Sequence, residues 1–551
     1  MTARPTGSLV ELFSRLDLDP DDPAAPYRGL RELQSRLGDE QPLLADPPLL
    51  RSVLELSAVV DPRLFFAMLL HHCVATGAAL DHGAGEEDLH ALVSARWIGA
   101  ALMNEQGFGN SSARIRTEAV YDPATREFVL TTPVPEAAKH PAAVALPGFA
   151  RLGVVSARLL VGGADSGTAL FLVELRDEDG PRAGVTITPH AGTAPVPMDF
   201  ASIRFDGVVV PFERWLADGA SIDAAGELDD PLGGPDARSL RGVSMGRFAW
   251  GGASAGLAAA ARSGAAIALT RARHRRTLDR LGGEVTAIDH LSTQRMVFGA
   301  ITAALAATVV ARGVSDRCWR VAPGGGRGTG PSAADLREMS LGKVVVSVLA
   351  DTAVSRARSA CGASGLLGQH GLSGYQALTT TFQSAGGDNR LNLLNAAWSM
   401  AFGSDYRPPD DAAGDDWSLL ARSRERVLYA ELTSGLAPTF EGWNERTGLA
   451  QRFAEAHCAR TTVESLRAHW HSTSLLEDLY EVHCLEMVHA DAGWFLAHGL
   501  VSAPDVLALP SRLDAIHRNL VPHADDLLAL LGIPADLLHG LVGTTGFLQG
   551  M

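Results

Sequence analysis

The spacing of apolar residues changes twice along this chain, and that succession constrains the fold more than any other feature. From Ser8 to about Ala101 apolar residues recur every three or four positions, as in LRELQSRL, LLRSVLELSAVV and LFFAMLLHHCVATGAAL, which predicts amphipathic helices. From about Ser112 to Trp215 the pattern shifts to short β runs. RIRTEAVYD, EFVLTTP, LGVVSARLLVGG, GTALFLVELRD, AGVTITP and DFASIRFDGVVV are separated by turn pairs such as Asp-Pro, Gly-Gly and Asp-Gly. After Arg241 helical periodicity returns and runs to the end. A Gly-rich connection at 321–335 and an acidic, proline-bearing stretch at 404–417 divide that second half. The expected architecture is α+β, mostly α. It comprises an N-terminal helical domain (1–101), a middle β domain of sandwich or barrel type (102–240), a central helical bundle (241–404) and a C-terminal helical domain (405–551).

Composition narrows the function. With 47 Lys+Arg against 63 Asp+Glu the formal charge is −16, which argues against a nucleic-acid partner, since that needs a basic face. Lys139 and Lys343 are the only lysines; every other cation is Arg, which in an Ala- and Gly-rich chain reads as a GC-rich bacterial origin. Five scattered cysteines without a CxxC pair predict reduced thiols, and the first residues lack the apolar run of a signal peptide, so a cytoplasmic location is expected. The most apolar stretches are interrupted by Arg262 or too short to cross a bilayer, so no membrane insertion is expected. No metal site is expected either: His71 and His72 are adjacent rather than one helical turn apart, with no third ligand suggested. The small-residue segment GGASAGLAAAARSGAAIAL reads as a closely packed core helix, because no strand precedes it to make a phosphate-binding loop.

At the first junction the texture meets a specific string. Met103-Asn104-Glu105-Gln106-Gly107-Phe108-Gly109-Asn110-Ser111, followed by RIRTEAVYDPATREFVLTTP, closely resembles the acyl-CoA oxidases, larger relatives of the acyl-CoA dehydrogenases. The likeness continues through the β runs, through IALTRARHRRT and through SACGASGLLGQHGLSGYQALTTTFQSAGGDN. It extends into the last bundle with LEMVHADAGWFLAHGLVSAPDVLAL. The resemblance implies an N-terminal helical domain, a β domain, a central four-helix bundle and the extra C-terminal helical domain of the oxidases. It also implies FAD, a homodimer, and an acyl thioester substrate carried on CoA or on a carrier protein.

By the same resemblance Asn104, Gly109, Asn110 and Ser111 would offer donors and close backbone approach at the flavin, with Asn104 standing where the family usually has Thr. Arg275 would neutralise the pyrophosphate, Gly362 and Gly365 would let backbone approach the dinucleotide, and Asp388 and Asn389 would reach its ribose. The implied reaction removes an α proton and a β hydride from the acyl group, which requires a base within hydrogen-bond reach and donors on the thioester carbonyl.

The base is where the sequence departs. The family block reads aromatic-Glu-Gly-(Asp/Glu/Asn)-Asn; here those places hold Ala385, Gly386, Gly387, Asp388 and Asn389, so Gly386 replaces the catalytic Glu. The alternative place used by some dehydrogenases holds Gly246. The family's K-W-W-P-G-G-L-G stretch is KHPAAVALPGFARLG here, which removes both tryptophans beside the flavin and thioester. A positioned base contributes about 10²–10⁴ in rate, roughly 3–5 kcal/mol. Asp388 is a weak substitute, as are His370, Gln383 and His274, while Glu105 reads as structural. Three readings stand: a flavoenzyme with altered chemistry on an acyl thioester, a flavin-dependent monooxygenase or tailoring enzyme of bacterial secondary metabolism, and a non-catalytic partner subunit of an active oxidase.

Overall fold

The computed structural model describes residues 7–538, apart from 39, 112–113, 192–193, 321–329, 368–370 and 411–413. Six helices open the chain: α1 Gly7–Ser14, α2 Ala25–Leu37, α3 Pro47–Val60, α4 Pro62–Met68, α5 Thr76–Asp81 and α6 Glu86–Val93. Asp46 and Asp61 cap α3 and α4, each with proline in the first turn, as helix starts favour. A π-helical segment, Leu69–Ala75, joins α4 to α5 and turns His71 toward the β domain, where its Nδ1 accepts the Gly99 N–H at 2.9 Å. Both histidines of the expected non-metal pair are buried.

Ten strands follow: β1 Ile98–Leu102, β2 Glu118–Asp122, β3 Glu127–Thr131, β4 Lys139–Ala143, β5 Arg151–Val161, β6 Ala164–Arg176, β7 Val185–Pro189, β8 Phe200–Phe205, β9 Val208–Pro211 and β10 Trp215–Leu216. They form a seven-stranded sheet in the order β10-β6-β5-β2-β3-β9 with β1 also on β5, and a three-stranded sheet in the order β4-β8-β7. Two strands escape the sequence pattern. β1 ends what reads as helical texture, because a short buried apolar run such as IGAAL has no distinguishing period. β4 contains Pro141, which a strand tolerates only at an edge, and β4 is an edge of its sheet. The Asp206-Gly207 pair, with Gly207 at φ 65°, is not a hairpin turn. It carries the chain from β8 in one sheet to β9, which pairs with β3 in the other.

After two small strands (β11 Ser221–Ile222, β12 Leu228–Asp229) come α7 Pro235–Val243 and α8 Gly246–His274. A hairpin of β13 Arg276–Leu278 and β14 Glu284–Thr286 leads to α9 Leu291–Cys318, then α10 Ala333–Cys361, α11 Leu372–Thr381 and α12 Asn389–Phe402. The small residues of α8 do what their pattern predicts. A Cβ at Gly252 would lie 2.3 Å from Leu69 Cδ1, and one at Gly256 2.2 Å from the Phe65 ring, so bulk there would drive the helices apart. Pro62–Asp81 and Leu291–Cys318 are long and apolar enough to cross a bilayer by composition, yet 89% and 78% of their apolar windows are buried against other helices, as core helices are.

The C-terminal helices are α13 Asp416–Thr433, α14 Phe440–Asn444, α15 Thr447–His469, α16 Ser474–Ala490, α17 Ala492–Ala497, α18 Ala503–Leu520 and α19 Ala524–Leu531. His457 of α15 bridges Glu425 of α13 (2.7 Å) and Glu338 of α10 (3.2 Å), tying this unit to the central bundle.

A second, larger ion network joins the other three units. Asp81 at the end of α5 accepts from Arg241 of α7 (2.6 Å) and from both terminal nitrogens of Arg247 of α8 (2.9 and 2.8 Å). Arg241 also donates to Asp218, on the loop after β10, at 2.7 Å. All four side chains are buried. Burial pushes the Asp81 carboxyl up, but the Arg247 hydrogen bonds and the charges of Arg247 and Arg241 together outweigh it and hold the group below its usual range. Removing one partner of such a set strands the others without water. Asp81→Asn is therefore expected to destabilise the fold by about 3–5 kcal/mol, measured by chemical denaturation at neutral pH.

Candidate functional site

Two loops carry most of the sequence-predicted site residues, and each is pinned by one of the chain's two lysines; Arg275, Gly362 and Gly365 lie at the end of α8 and the turn after α10. The first is the segment from Asn104 to Thr117. Its buried core is the Glu105 carboxylate, which accepts from the backbone N–H groups of Arg116 (2.9 Å) and Thr117 (2.7 Å), the Thr117 hydroxyl (2.7 Å) and Lys139 Nζ (3.3 Å). Burial pulls the Lys139 pKa down to about 8 against the pull of Glu105. Glu105 is thus structural, as its place in the motif implies. Gly107 has a steric reason to be glycine, since a Cβ there would lie 2.5 Å from Glu136 Cβ. Asn104, Gly109, Asn110 and Ser111 are exposed, with Asn110 in the left-handed region at φ 61° and no atom within 4 Å of a Cβ at Gly109.

The cationic end of α8 faces the turn after α10. Arg271 donates to Ser364 Oγ at 3.4 Å, and a Cβ at Gly362, itself at φ 64°, would meet Arg275 Nη1 at 3.6 Å. Burial and the neighbouring Arg275 both lower the Arg271 pKa, so two guanidiniums lie close enough to repel. Gly365 answers to packing: a Cβ there would lie 2.5 Å from the Arg358 carbonyl oxygen. Arg271 was not singled out by sequence; its one-turn spacing from Arg275 was the available signal.

The second loop, Ala385–Asn389, holds the vacated base position. Gly386 and Gly387 are both left-handed, at φ 68° and 85°. Trp250 Nε1 donates to the Gly386 carbonyl at 2.7 Å, and Lys343 Nζ donates to the Gly387 carbonyl at 2.9 Å and to Asn389 Oδ1 at 3.0 Å. A Cβ at Gly386 would sit 3.6 Å from Trp250 Cδ1 and 3.8 Å from Lys343 Cε, ordinary contact distances, so space for a side chain remains. Lys343 is fully buried, and that burial pulls its pKa to about 7 while Asp388 opposes the shift.

The residues expected to reach the ribose or to substitute for the base have these partners in the fold, as far as they are described. Asn389 spends its amide hydrogens on Ser347 Oγ (2.9 Å) and Gln383 Oε1 (2.7 Å), and with its Oδ1 on Lys343 it is an internal brace of the loop. Asp388 caps α12, accepting from the Arg390 and Leu391 N–H groups. Gln383 belongs to the Asn389 brace, His274 bonds the Thr270 carbonyl one turn back, and His370 lies outside the described residues.

Beside the first loop opens a cavity of about 470 Å³ lined by Arg114, Arg116, Arg158, Glu118, Asp165 and Asp236 among others. Its three arginines are balanced by three carboxylates; Arg158 pairs with Glu118 and stands 3.7 Å from Asp165. The sequence signal was the R-x-R before β2, read there only as part of a strand.

No family model matches the chain. Among curated proteins it is 30% identical over 206 residues to a putative peroxisomal acyl-coenzyme A oxidase 3.2 of Arabidopsis thaliana, covering 36% of this chain and 30% of that protein. It is 24% identical over 497 residues to the acyl-coenzyme A oxidase-like protein of Mus musculus, covering 80% and 77%. The matched stretch thus spans under a third of the plant relative, and 47% of mouse peroxisomal acyl-coenzyme A oxidase 1. Among solved structures, acyl-CoA oxidase 1 of Yarrowia lipolytica superposes with a TM-score of 0.80 at 18% identity, over 98% of this chain and 88% of that one. Acyl-CoA oxidase-1 of Caenorhabditis elegans, complexed with FAD and ATP, gives 0.76 at 20% identity over 97% and 94%. The fold is that of the acyl-CoA oxidases.

The buried Lys343 gives the second loop a pH signature. Its folded pKa near 7 lies below the usual 10.5, so between those values the unfolded chain binds the extra proton and stability rises with pH. The unfolding free energy of the native chain relative to Lys343→Met is expected to increase between pH 7 and pH 10. A pH-independent difference in paired denaturation curves would contradict it.

Proposed function

We propose that the chain, which has the acyl-CoA oxidase fold, is an FAD-binding protein acting on an acyl thioester by altered chemistry. The observation that carries the reading is Gly386: a left-handed glycine, pinned through its own carbonyl, where relatives of this fold class hold the carboxylate base.

The residues present fit the cofactor. Arg271 and Arg275 form a cationic pair at the Gly362 turn, which suits a pyrophosphate and would be relieved of mutual repulsion by one. The exposed loop from Gly109 to Ser111 offers backbone N–H groups and small side chains to a ring edge. When bound, FAD supplies a hydride acceptor and a centre that reacts with oxygen. The chain's own part is binding and orientation. Arg114, Arg116 and Arg158 supply donors for a phosphate-bearing thioester arm, on CoA or a carrier protein, and the Glu105–Lys139 pair keeps the adjoining loop rigid.

At the vacated position the nearest groups are hydrogen-bond donors rather than an acceptor. Trp250 and Lys343 both aim N–H at the loop carbonyls, so among the described residues the position presents no carboxylate to take an α proton. This favours a substrate whose α-carbon needs no protein base, or oxygenation at the flavin, as in a tailoring enzyme of bacterial secondary metabolism. A cytoplasmic setting fits five cysteines that are all free and buried. A homodimer fits the exposed Leu278 and Leu281 on the β13–β14 hairpin.

The test is anaerobic titration of the FAD-loaded protein with saturated acyl-CoAs. The flavin band is expected to stay oxidised; rapid bleaching would overturn the altered-chemistry reading, and failure to retain FAD would favour a non-catalytic partner subunit. Gly386→Glu is expected to raise the rate of flavin reduction by about 10²–10⁴, at a conformational cost of roughly 1–2 kcal/mol for a non-glycine residue in the left-handed region.

A further inference from the structure

Three donor atoms from three backbone segments converge at the rim of the three-stranded sheet. His140 Nδ1 and His190 Nε2 are 3.0 Å apart, and Ser202 Oγ lies 3.0 Å from His190 Nε2 and 3.3 Å from His140 Nδ1. Gln106 Oε1, 3.5 Å from Ser202 Oγ, adds a fourth oxygen at the edge of the cluster.

Each residue is held by main chain. His140 lies on β4 next to the buried Lys139, and its N–H donates to the Asn104 carbonyl at 3.0 Å. The His190 N–H donates to the Phe200 carbonyl at 2.9 Å, and Ser202 on β8 pairs in register with Thr188 on β7. The cluster is reached from solvent, since His190 and Gln106 are exposed while Ser202 forms its buried floor. His140 occupies the place of the first tryptophan in the family's K-W-W stretch, so an imidazole has entered where the oxidase pattern has an apolar ring.

We propose that His140, His190 and Ser202 form a binding site for a divalent transition-metal ion, with Cu²⁺ preferred over Ni²⁺ and Zn²⁺. With metal–nitrogen bonds of about 2.0–2.1 Å, nitrogens 3.0 Å apart subtend an angle of about 94° at the metal. The longer His140–Ser202 edge corresponds to roughly 107° on the same bond lengths. Two angles of about 94° and one of about 107° lie nearer on average to one face of a tetragonal or octahedral site than to the tetrahedron Zn²⁺ prefers. Imidazole nitrogens suit copper and nickel, and the affinity order for such donors peaks at Cu²⁺. The third ligand is a neutral hydroxyl rather than a carboxylate, so the site adds no charge to favour harder ions such as Mn²⁺ or Mg²⁺. Among the described residues no cluster of three His, Cys, Asp or Glu side chains is placed to hold a metal, so this mixed set has no richer competitor there. The proposal does not depend on the flavin reading, because it concerns binding alone.

The experiment titrates the full-length protein with Cu²⁺ by calorimetry and records the electron paramagnetic resonance spectrum of the one-equivalent sample. One Cu²⁺ per chain is expected, with hyperfine splitting from two imidazole nitrogens. His190→Gln keeps a hydrogen-bonding partner for His140 while removing a ligand, and His190→Ala removes both. Each is expected to weaken binding by about a hundredfold or more, beyond the 10–100-fold that losing an outer-shell partner costs. Ser202→Ala should weaken it less, and Zn²⁺ should bind more weakly than Cu²⁺ to the native chain. Equal copper affinity in the native chain and both His190 variants would mean an adventitious ion only and overturn the site. A spectrum without two-nitrogen splitting, or no binding at all, would overturn it as well.

Discussion

The architecture turns on the buried carboxylate of Asp81. It stands at the end of the N-terminal helices and receives guanidiniums from α7 and α8, while Arg241 reaches on to Asp218 at the edge of the β domain. Three units that differ in periodicity, of which the N-terminal and central helices share one apolar core while most of the β domain has another, are thereby fixed in one relative orientation. Hydrophobic packing alone is poorly directional, and adjacent helices slide at small cost. Buried ion pairs with bidentate geometry tolerate no such slip, because displacement leaves charge without water or partner. The orientation matters because the two site loops belong to different units, one following β1 and the other preceding α12.

Those loops are stabilised by the same device used twice. In each, a lysine without solvent contact reaches across to the backbone or carboxylate of a loop rich in glycine. Lys139 braces the loop through Glu105; Lys343 braces Gly387 and Asn389 directly. Glycines give both loops freedom to come close to a ligand, and the lysines remove the disorder that freedom would bring. At the second loop the brace also sets the electrostatics. A carboxylate at residue 386 would face a buried amine; with glycine there, the amine and the Trp250 indole are what the position presents.

Much of this was legible in the residues. The two changes of period gave the order of helices and strands, the small-residue helix packed as its composition required, and the TEAVYDPATREFVLTTP run marked the β domain. What escaped has physical causes. β1 and β4 were hidden by a buried run without period and by a proline allowed only at an edge. The Asp206-Gly207 pair reads as a turn, and a local turn signal cannot say which sheet receives the next strand. At the candidate site, the loop glycines and Arg275 stand out by motif, whereas the bracing roles of Lys343 and Asn389 depend on contacts between segments about forty residues apart. Asp388 and Asn389 look like ligand groups in a linear motif; that they also serve as a helix cap and an internal brace is visible only in the fold.

The two lysines have a consequence for the molecule's outer chemistry. Since both are buried, the surface carries its positive charge entirely as guanidinium. Arginine side chains stay protonated at any physiological pH and are poor nucleophiles, so the folded exterior offers no side-chain amine to acylating reagents or to lysine-modifying enzymes. Apart from the α-amino group, an amine-reactive probe would therefore report opening of the site loops rather than surface area, and its reaction at Lys139 or Lys343 would time the loss of the braces themselves.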